Sequence, residues 1–250
     1  MSKLKNKVAV ITGGNSGIGF GIAREFKNEG AVGAIVGRNK ETLDSAVAQL
    51  GDNFIAINAD VTSVADLERV FAATAEKFGK IDVVVANAGA GTVGTVASIG
   101  EADFDKAIDL NLKSVYFTVQ KSLPYMNDGG SVILIGSNAA HRAYANFTLY
   151  GASKAAVIYF AKGFSSDLLD RKIRVNVITP GTTDTPAFEK FVPAEQIEAV
   201  KTHFASVMPT GRIGQPADIG KAAVFLASDD SSFMLGAELL VDGGMTYLSK

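Results

Sequence analysis

Tyr150 and Lys154, in the stretch LYGASKAA, stand four residues apart at the start of an apolar segment. On a helix beginning near Leu149 that spacing places a phenol and an ammonium on one face, about one turn apart. A phenol titrates near pH 10, too high for ready proton exchange at neutral pH, and a neighbouring cation favours the phenolate and lowers that value. The pair is thus suited to general acid and base work at an oxygen that gains and loses charge, with Tyr150 exchanging the proton and Lys154 tuning it. Alone, a tyrosine at a helix start and a lysine facing water would mean only packing and a surface charge. Their companions decide the matter.

One companion lies near the N-terminus. ITGGNSGIGFGIA follows an apolar run directly and opens a helix-like segment, with Gly13, Gly17 and Gly19 at the key places. Between a strand and a helix, such glycines let backbone N–H groups and the helix N-terminus approach a pyrophosphate, as dinucleotide binding requires. In that kind of fold an acidic residue about 20 positions on binds the ribose 2′-hydroxyl of NAD, whereas an arginine accommodates the 2′-phosphate of NADP. Here the next apolar run ends VGRNK, with Gly37 in the acid's place and Arg38 beside it, 19 residues past Gly19. Glu41 is too far along to serve NAD instead. The planar fork of Arg38 suits phosphate oxygens, with Asn39, Asn15 and Lys40 as further donors, so the expected cofactor is NADP(H).

The elements that must position these groups are legible as an alternation. KVAVIT, AVGAIVG, NFIAIN, IDVVVAN, GSVILIGS, IRVNVIT and AELLVDGG are short runs rich in β-branched residues. Their continuous apolarity, without alternation between polar and apolar, is that of strands buried on both faces of a parallel sheet. Between them lie segments with apolar residues three and four apart, among them GIGFGIAREFKNEG, SVADLERVFAATAEKFG and DFDKAIDLNLKSVYFTVQKSLPYM. Strand and helix alternate from end to end, which specifies an α/β, doubly wound parallel sheet with helices on both faces. No linker or repeat interrupts it, so residues 1–250 read as a single domain. Residues 182–208, with Pro186, Phe188, Phe191 and Pro193, break the rhythm after a strand end, where a substrate lid would sit.

Composition narrows the classes. The 24 basic and 26 acidic residues leave a formal charge of −2 with no long run of one sign, so neither nucleic acid nor an anionic membrane is an expected partner. Cysteine is absent and the histidines are His141 and His203 alone, too few for a zinc site of the usual kind, and no metal is expected. The first apolar run is too short for a signal peptide core and no stretch approaches a membrane span, which makes a cytoplasmic location the default.

TGxxxGxG, with Thr12 and Gly13 leading to Gly17 and Gly19, is the glycine pattern of the short-chain dehydrogenase/reductase family, and the chain resembles that family along essentially its whole length. The resemblance implies a Rossmann-type sheet of seven parallel strands. It implies cofactor contacts from Gly13, Asn15, Ser16, Gly17, Ile18 and Gly19 in the loop, and from Asp60 and Val61 in NADVTS, where Asp60 would accept from an adenine amino group. ANAG is similar to the family's NNAG segment, with Asn87, Ala88 and Gly89 passing the ribose and Ala86 replacing the first asparagine. ITPGTTDTP matches its PGxxxT segment, in which Pro180, Gly181, Thr183 and Thr185 would hold the nicotinamide amide. Ser137, thirteen residues before Tyr150, has the separation of the family's serine and would hold the substrate oxygen beside the phenol. Asn111, a mediocre helix former inside a helical segment, matches an asparagine whose main chain holds a water in a proton relay to the lysine. The implied catalytic set is Asn111, Ser137, Tyr150 and Lys154, with Tyr150 and Lys154 also touching the cofactor. Homotetramers are common in the family, and a homotetramer is expected here.

The expected activity is reversible hydride transfer between NADP(H) and a ketone or secondary alcohol, as in broad-range bacterial alcohol dehydrogenases of the family. Asn138, Ala139, His141, Tyr144, Phe147, Phe188 and Phe191 are the expected substrate pocket, mostly apolar or aromatic and suited to a hydrophobic carbonyl. His141 reads as wall or surface, since Tyr150 fills the acid and base role. Two alternatives stand beside this reading. A 3-oxoacyl carrier-protein reductase would need basic residues near the pocket for an acidic carrier, and PYMNDGGS, leading into the strand before Ser137, offers none and carries Asp128. A cofactor-sensing regulator would keep the fold without the chemistry.

Overall fold

Each of the seven apolar runs becomes a strand in the computed structural model, which describes residues 2–188 and 192–248. They are β1 (Val8–Thr12), β2 (Val32–Gly37), β3 (Phe54–Asn58), β4 (Ile81–Ala86), β5 (Met126–Ile135), β6 (Arg174–Pro180) and β7 (Glu238–Val241). All pair in parallel, in the order β3-β2-β1-β4-β5-β6-β7. The order reverses between β1 and β4, and at such a switch point adjacent loops part to leave a crevice at the carboxyl ends of the strands.

The period of two along each strand sends alternate side chains to two separate cores. Val8, Val10, Val84, Val132 and Leu134 meet α3 (Val64–Phe78), α5 (Ser114–Ser122) and α6 (Thr148–Asp167) on one face. Ala9, Ile11, Val83, Val85 and Ile133 meet α1 (Gly17–Asn28), α2 (Lys40–Leu50) and α8 (Pro216–Ala227) on the other. Both faces of the sheet are therefore apolar, which is why the strands read as unbroken hydrophobic runs. No helix among the described residues is long and apolar enough to cross a membrane.

Two elements depart from the periodicity. The helix expected over residues 103–126 is divided: α4 (Glu101–Ile108) runs into a turn of π-helix at Asp109–Lys113 before α5 resumes. Strand β5 starts four residues before Gly130, at Met126, which pairs with Ile81 ahead of a register shift; Gly129, at φ 78°, lies inside the irregularity. PYMNDGGS consequently sits at the amino end of β5, the opposite end of the sheet from the crevice. Its charge bears on no pocket there, and the argument against a carrier-protein substrate drawn from it falls. Asp128 is in any case paired with Arg171 Nε at 2.8 Å. The chain leaves β6 without regular structure at residues 181–187, and the segment 182–208 ends in α7 (Ile197–Val207), none of whose side chains is buried.

Helices α1 and α8 cross without room for side chains at the crossing. A Cβ on Gly21 would lie 2.5 Å from Pro216 Cβ, and one on Gly220 would lie 2.8 Å from the Gly21 carbonyl oxygen. Replacing Gly21 with Val must drive these helices apart, and overpacking of this kind costs ~1–3 kcal/mol. Thermal unfolding of Gly21→Val should fall by roughly 2–12 °C; an unchanged Tm would show that the crossing yields freely.

Candidate active site

Strand β1 ends in Thr12, whose hydroxyl accepts the Asn87 and Ala88 amides at 3.0 and 3.1 Å. Asn87 Nδ2 in turn donates to the Thr12 carbonyl at 2.8 Å and the Gly13 carbonyl at 3.2 Å. These bonds join the loop after β1 to the loop after β4 across the switch point. Gly13, at φ 64°, takes the left-handed turn, and a Cβ on Gly19 would stand 2.2 Å from the Gly13 oxygen. Only backbone can occupy this place. Ser16, the N-cap of α1, makes no side-chain cap bond and the first turn holds no acid, so the helix opens with its N–H groups and positive end toward the crevice.

A cleft of about 550 Å³ runs from this loop along the carboxyl ends of the strands. Gly13, Asn15 to Gly19, Arg38, Asn39, Val61, Asn87 to Gly89, Pro180, Gly181, Thr183 and Thr185 all line it, and so do Ser137, Tyr150 and Lys154. Its two sides meet closely, since a Cβ on Gly17 would be 3.2 Å from Thr185 Cβ. The residues fit a dinucleotide: a side-chain-free cradle and helix N-terminus for a pyrophosphate, and an arginine at one end. At that end a Cβ on Gly37 would lie 2.7 Å from Asn15 Oδ1, so a side chain there would displace the Asn15 amide. Asn15, Asn39 and Lys40 are engaged with Thr42 and Asp44. The Arg38 side chain is 68% exposed and 3.8 Å from Asp60 Oδ2.

At the other end, α6 starts at Thr148 and presents Tyr150 and Lys154 together, as their spacing predicts. Lys154 Nζ lies 5.8 Å from the centre of the Tyr150 ring and donates to the Ile135 carbonyl at the end of β5 at 2.8 Å. Asn111, in the π turn, is buried; its amide donates to the Ala90 carbonyl and accepts the Ala90 N–H, both at 2.9 Å. Gly89 passes over both groups, for a Cβ there would be 2.9 Å from Asn111 Oδ1 and 3.4 Å from Lys154 Nζ. One expectation is corrected. Burial pushes the Tyr150 phenol up, and it is the hydrogen bond with Ser137, not Lys154, that pulls it back. Lys154 is itself pushed down to about 8 by burial. Both groups share one desolvated site, which disfavours the charged form of each.

The outer residues divide. Asp60 does not line the cleft: its Oδ1 accepts the Thr62 amide and hydroxyl, closing its own turn. Phe147 packs edge-on against the Tyr150 ring at 6.2 Å, whereas Asn138 donates to the Tyr144 hydroxyl at 3.2 Å, and Tyr144 turns toward Met208, Ile213 and Met245. His141 binds Glu238 of β7 at 2.6 Å. Phe188 lines an adjoining cavity with Phe20, Arg24 and Lys201, which shares Gly17, Thr185 and Pro186 with the cleft, and packs edge-on to Phe204. Ala139 packs its carbonyl beside Gly151. Phe191 lies outside the described residues.

A family model described as enoyl-(acyl carrier protein) reductase matches residues 13–246. A short-chain dehydrogenase/reductase of Serratia marcescens superposes with a TM-score of 0.90 at 31% identity, covering 98% of this chain and 99% of that one. The chain is a short-chain dehydrogenase/reductase. Other members of the family that it resembles are the oxidoreductase asL5 of Sarocladium schorii, 41% identical over 99% of both chains, and levodione reductase, with a TM-score of 0.91, 31% identity and coverage of 97% and 98%. As a family oxidoreductase this chain uses a nicotinamide cofactor. Missing from the sequence reading are Thr12 as the tie across the switch point, Ala90 as the partner of Asn111, and the Ile135 carbonyl that receives Lys154. The first had a signal, a hydroxyl ending an apolar strand; backbone partners have none.

The depressed Lys154 is a stability cost with a defined pH window. The unfolded chain holds that proton more tightly, up to about 10.5, so the full penalty applies below about pH 8 and fades as pH rises through the interval between. Replacing Lys154 with Met removes the buried charge and leaves one carbonyl unpaired, for a net gain of ~1–3 kcal/mol at pH 7. Urea unfolding should show the variant more stable at pH 7, with the gap closing toward pH 10. A gap that does not vary with pH would refute this account.

Proposed function

We propose that the chain is an NADP(H)-dependent carbonyl reductase and alcohol dehydrogenase in which Tyr150 is the general acid and base. The observation carrying this reading is the continuity of one cleft from the glycine loop to a phenol that is hydrogen-bonded to Ser137 and flanked by a buried ammonium. Reduced nicotinamide, when bound, supplies a hydride to the carbonyl carbon. Everything else falls to the chain. Ser137 holds the substrate oxygen, Tyr150 gives it a proton as its charge grows, and a phenol held protonated by burial is ready to do so at neutral pH. Ser137 stabilises the phenolate left behind, and Lys154, buried beside the ring, returns a proton to it. Asn111 fixes the Ala90 loop that covers the lysine.

A hydrophobic ketone suits the apolar surroundings of Phe147, and levodione reductase names a ketone substrate among the similar structures. The description of the matching family model keeps an acyl thioester in view as a second substrate class. The open guanidinium of Arg38 and the bare Gly37 favour NADPH. A cytoplasmic location and the lid role of residues 182–208 belong to the same reading.

The direct test is a panel of ketones, β-keto esters and acyl thioesters assayed with both cofactors. Ketones should turn over faster than thioesters, and with higher kcat/KM for NADPH; turnover of nothing in the panel would leave the non-catalytic alternative. Tyr150→Phe should keep cofactor binding and lose ~10²- to 10⁴-fold in kcat, and a variant with half the parent rate would exclude Tyr150 as the acid. Arg38→Ala should lose roughly 10- to 150-fold in NADPH affinity, the worth of a charged hydrogen bond, with NADH little changed. Preference of the parent for NADH would overturn that assignment.

Assembly as a homotetramer follows the same resemblance, and the exposed Tyr116 of α5, Tyr159 of α6 and Tyr247 near the C-terminus are large side chains suited to cover. Light scattering at micromolar concentration should give the mass of four chains; a monomer would exclude it.

A further inference from the structure

Residues 138–147 connect Ser137 to α6 and therefore set where the serine hydroxyl stands relative to Tyr150. Apart from one 3-10 turn at Asn138–Ala140 the connection has no regular structure of its own. It is held by the C-terminal chain at three points. Arg142 donates to the Met245 carbonyl at 3.1 Å, Tyr144 packs with Met208 and Met245, and His141 Nε2 lies 2.6 Å from Glu238 Oε1. An ionised carboxylate only accepts, so Nε2 carries the hydrogen.

The last contact does more than pin a loop. The same Glu238 oxygen accepts the Thr179 hydroxyl at 2.5 Å, and Thr179 is fully buried on β6, next to the Pro180 and Gly181 that line the cleft. One atom of β7 thus joins the segment between Ser137 and Tyr150 to the strand end on the other side of the cleft. Exposed ion pairs are worth little, but here both side chains are about three-quarters covered, at 26% and 24% exposure, and one partner hydroxyl is out of solvent altogether. Neither His141 nor Glu238 touches the cleft, so neither is needed for the chemistry itself.

We propose that Glu238 is a positioning residue that, through His141 and Thr179, holds the segment between Ser137 and Tyr150 at a fixed separation from the end of β6 and so governs how tightly a carbonyl substrate is held. This rests on the reading that the chain reduces ketones. Loss of the clamp leaves the proton donor and the glycine loop in place but lets the 138–147 segment, with Ser137 before it and Phe147 at its end, shift relative to the bound ketone. The signature is a change in KM with little change in kcat.

The test compares Glu238→Ala, Glu238→Gln and His141→Ala with the parent, using 2-tetralone as the probe ketone and NADPH as the reductant. KM for 2-tetralone should rise roughly 5- to 30-fold in Glu238→Ala, less than the roughly 10- to 150-fold worth of a hydrogen bond to a charged group because Glu238 acts through a segment and not on the ketone itself, with kcat and the KM for NADPH within about two-fold. Glu238→Gln, which keeps an oxygen for Thr179 and His141, should recover most of the loss. His141→Ala should reproduce it without disturbing β6. Hydrogen exchange supplies a readout free of activity: amides of 138–149 should exchange faster in both alanine variants while those of β1 and α1 stay protected. An unchanged KM for 2-tetralone, or kcat falling in step with it, overturns the proposal. So does unchanged local exchange, even if no ketone is reduced by the parent, an outcome that would sink the ketone reading by itself.

Discussion

The Gly13 carbonyl oxygen occupies the space that any side chain on Gly19 would need. That exclusion is the constraint on which the rest of the site depends. With nothing but main chain at the switch point, the loop after β1 can lie flat against the loop after β4, and Thr12 and Asn87 can lace the two together. The entry of α1 into the cleft, the position of Gly89 over Lys154, and through Ala90 the anchoring of Asn111 all follow from how close these two loops come. A methyl group at Gly19 would be felt some distance away, at Asn111 and Lys154.

Much of this was legible because the relevant signals are local. Strand runs buried on both faces read as unbroken apolar stretches, and five of the seven begin and end within about a residue of where they were expected; β7 ends at Val241, three residues before the run AELLVDGG does. The spacing of Tyr150 and Lys154 translates directly into one helical face. What stayed hidden depends on partners distant in sequence. The early start of β5 rests on Met126 pairing with Ile81 across a register shift, which no periodicity of the segment itself could show. The direction of the Tyr150 shift depends on how dry the site is, a property of the assembled cleft. His141 and Tyr144 read as pocket residues because they lie between Ser137 and Tyr150 in the chain; their partners, Glu238 of β7 and the cluster of Met208, Ile213 and Met245, come from far along it. Asp60, read as a ligand contact, spends one oxygen on its own turn.

Lys154 stands where burial disfavours its charge. An ammonium among Ile135, Tyr150 and the Gly89 backbone has one protein hydrogen bond to replace its water shell, and a chain selected for stability alone would place a methionine there. The two cores on either side of the sheet are large enough to carry that penalty, which illustrates why a charged group can persist in a dry site only where the surrounding packing over-determines the fold.

The turn of π-helix around Asn111 has a consequence for how this chain can change. Such a turn holds one residue more than a regular α-helical turn, and each residue rotates the helix by about 100°. Deleting one of the other residues of the turn, Asp109, Leu110, Leu112 or Lys113, would therefore mend the local hydrogen bonding of α4 and α5 while swinging Asn111 away from Ala90. The defect is heritable only as a whole: a lineage that regularises the helix breaks the brace on the loop above Lys154, so the stretch tolerates substitution far better than it tolerates a change in length.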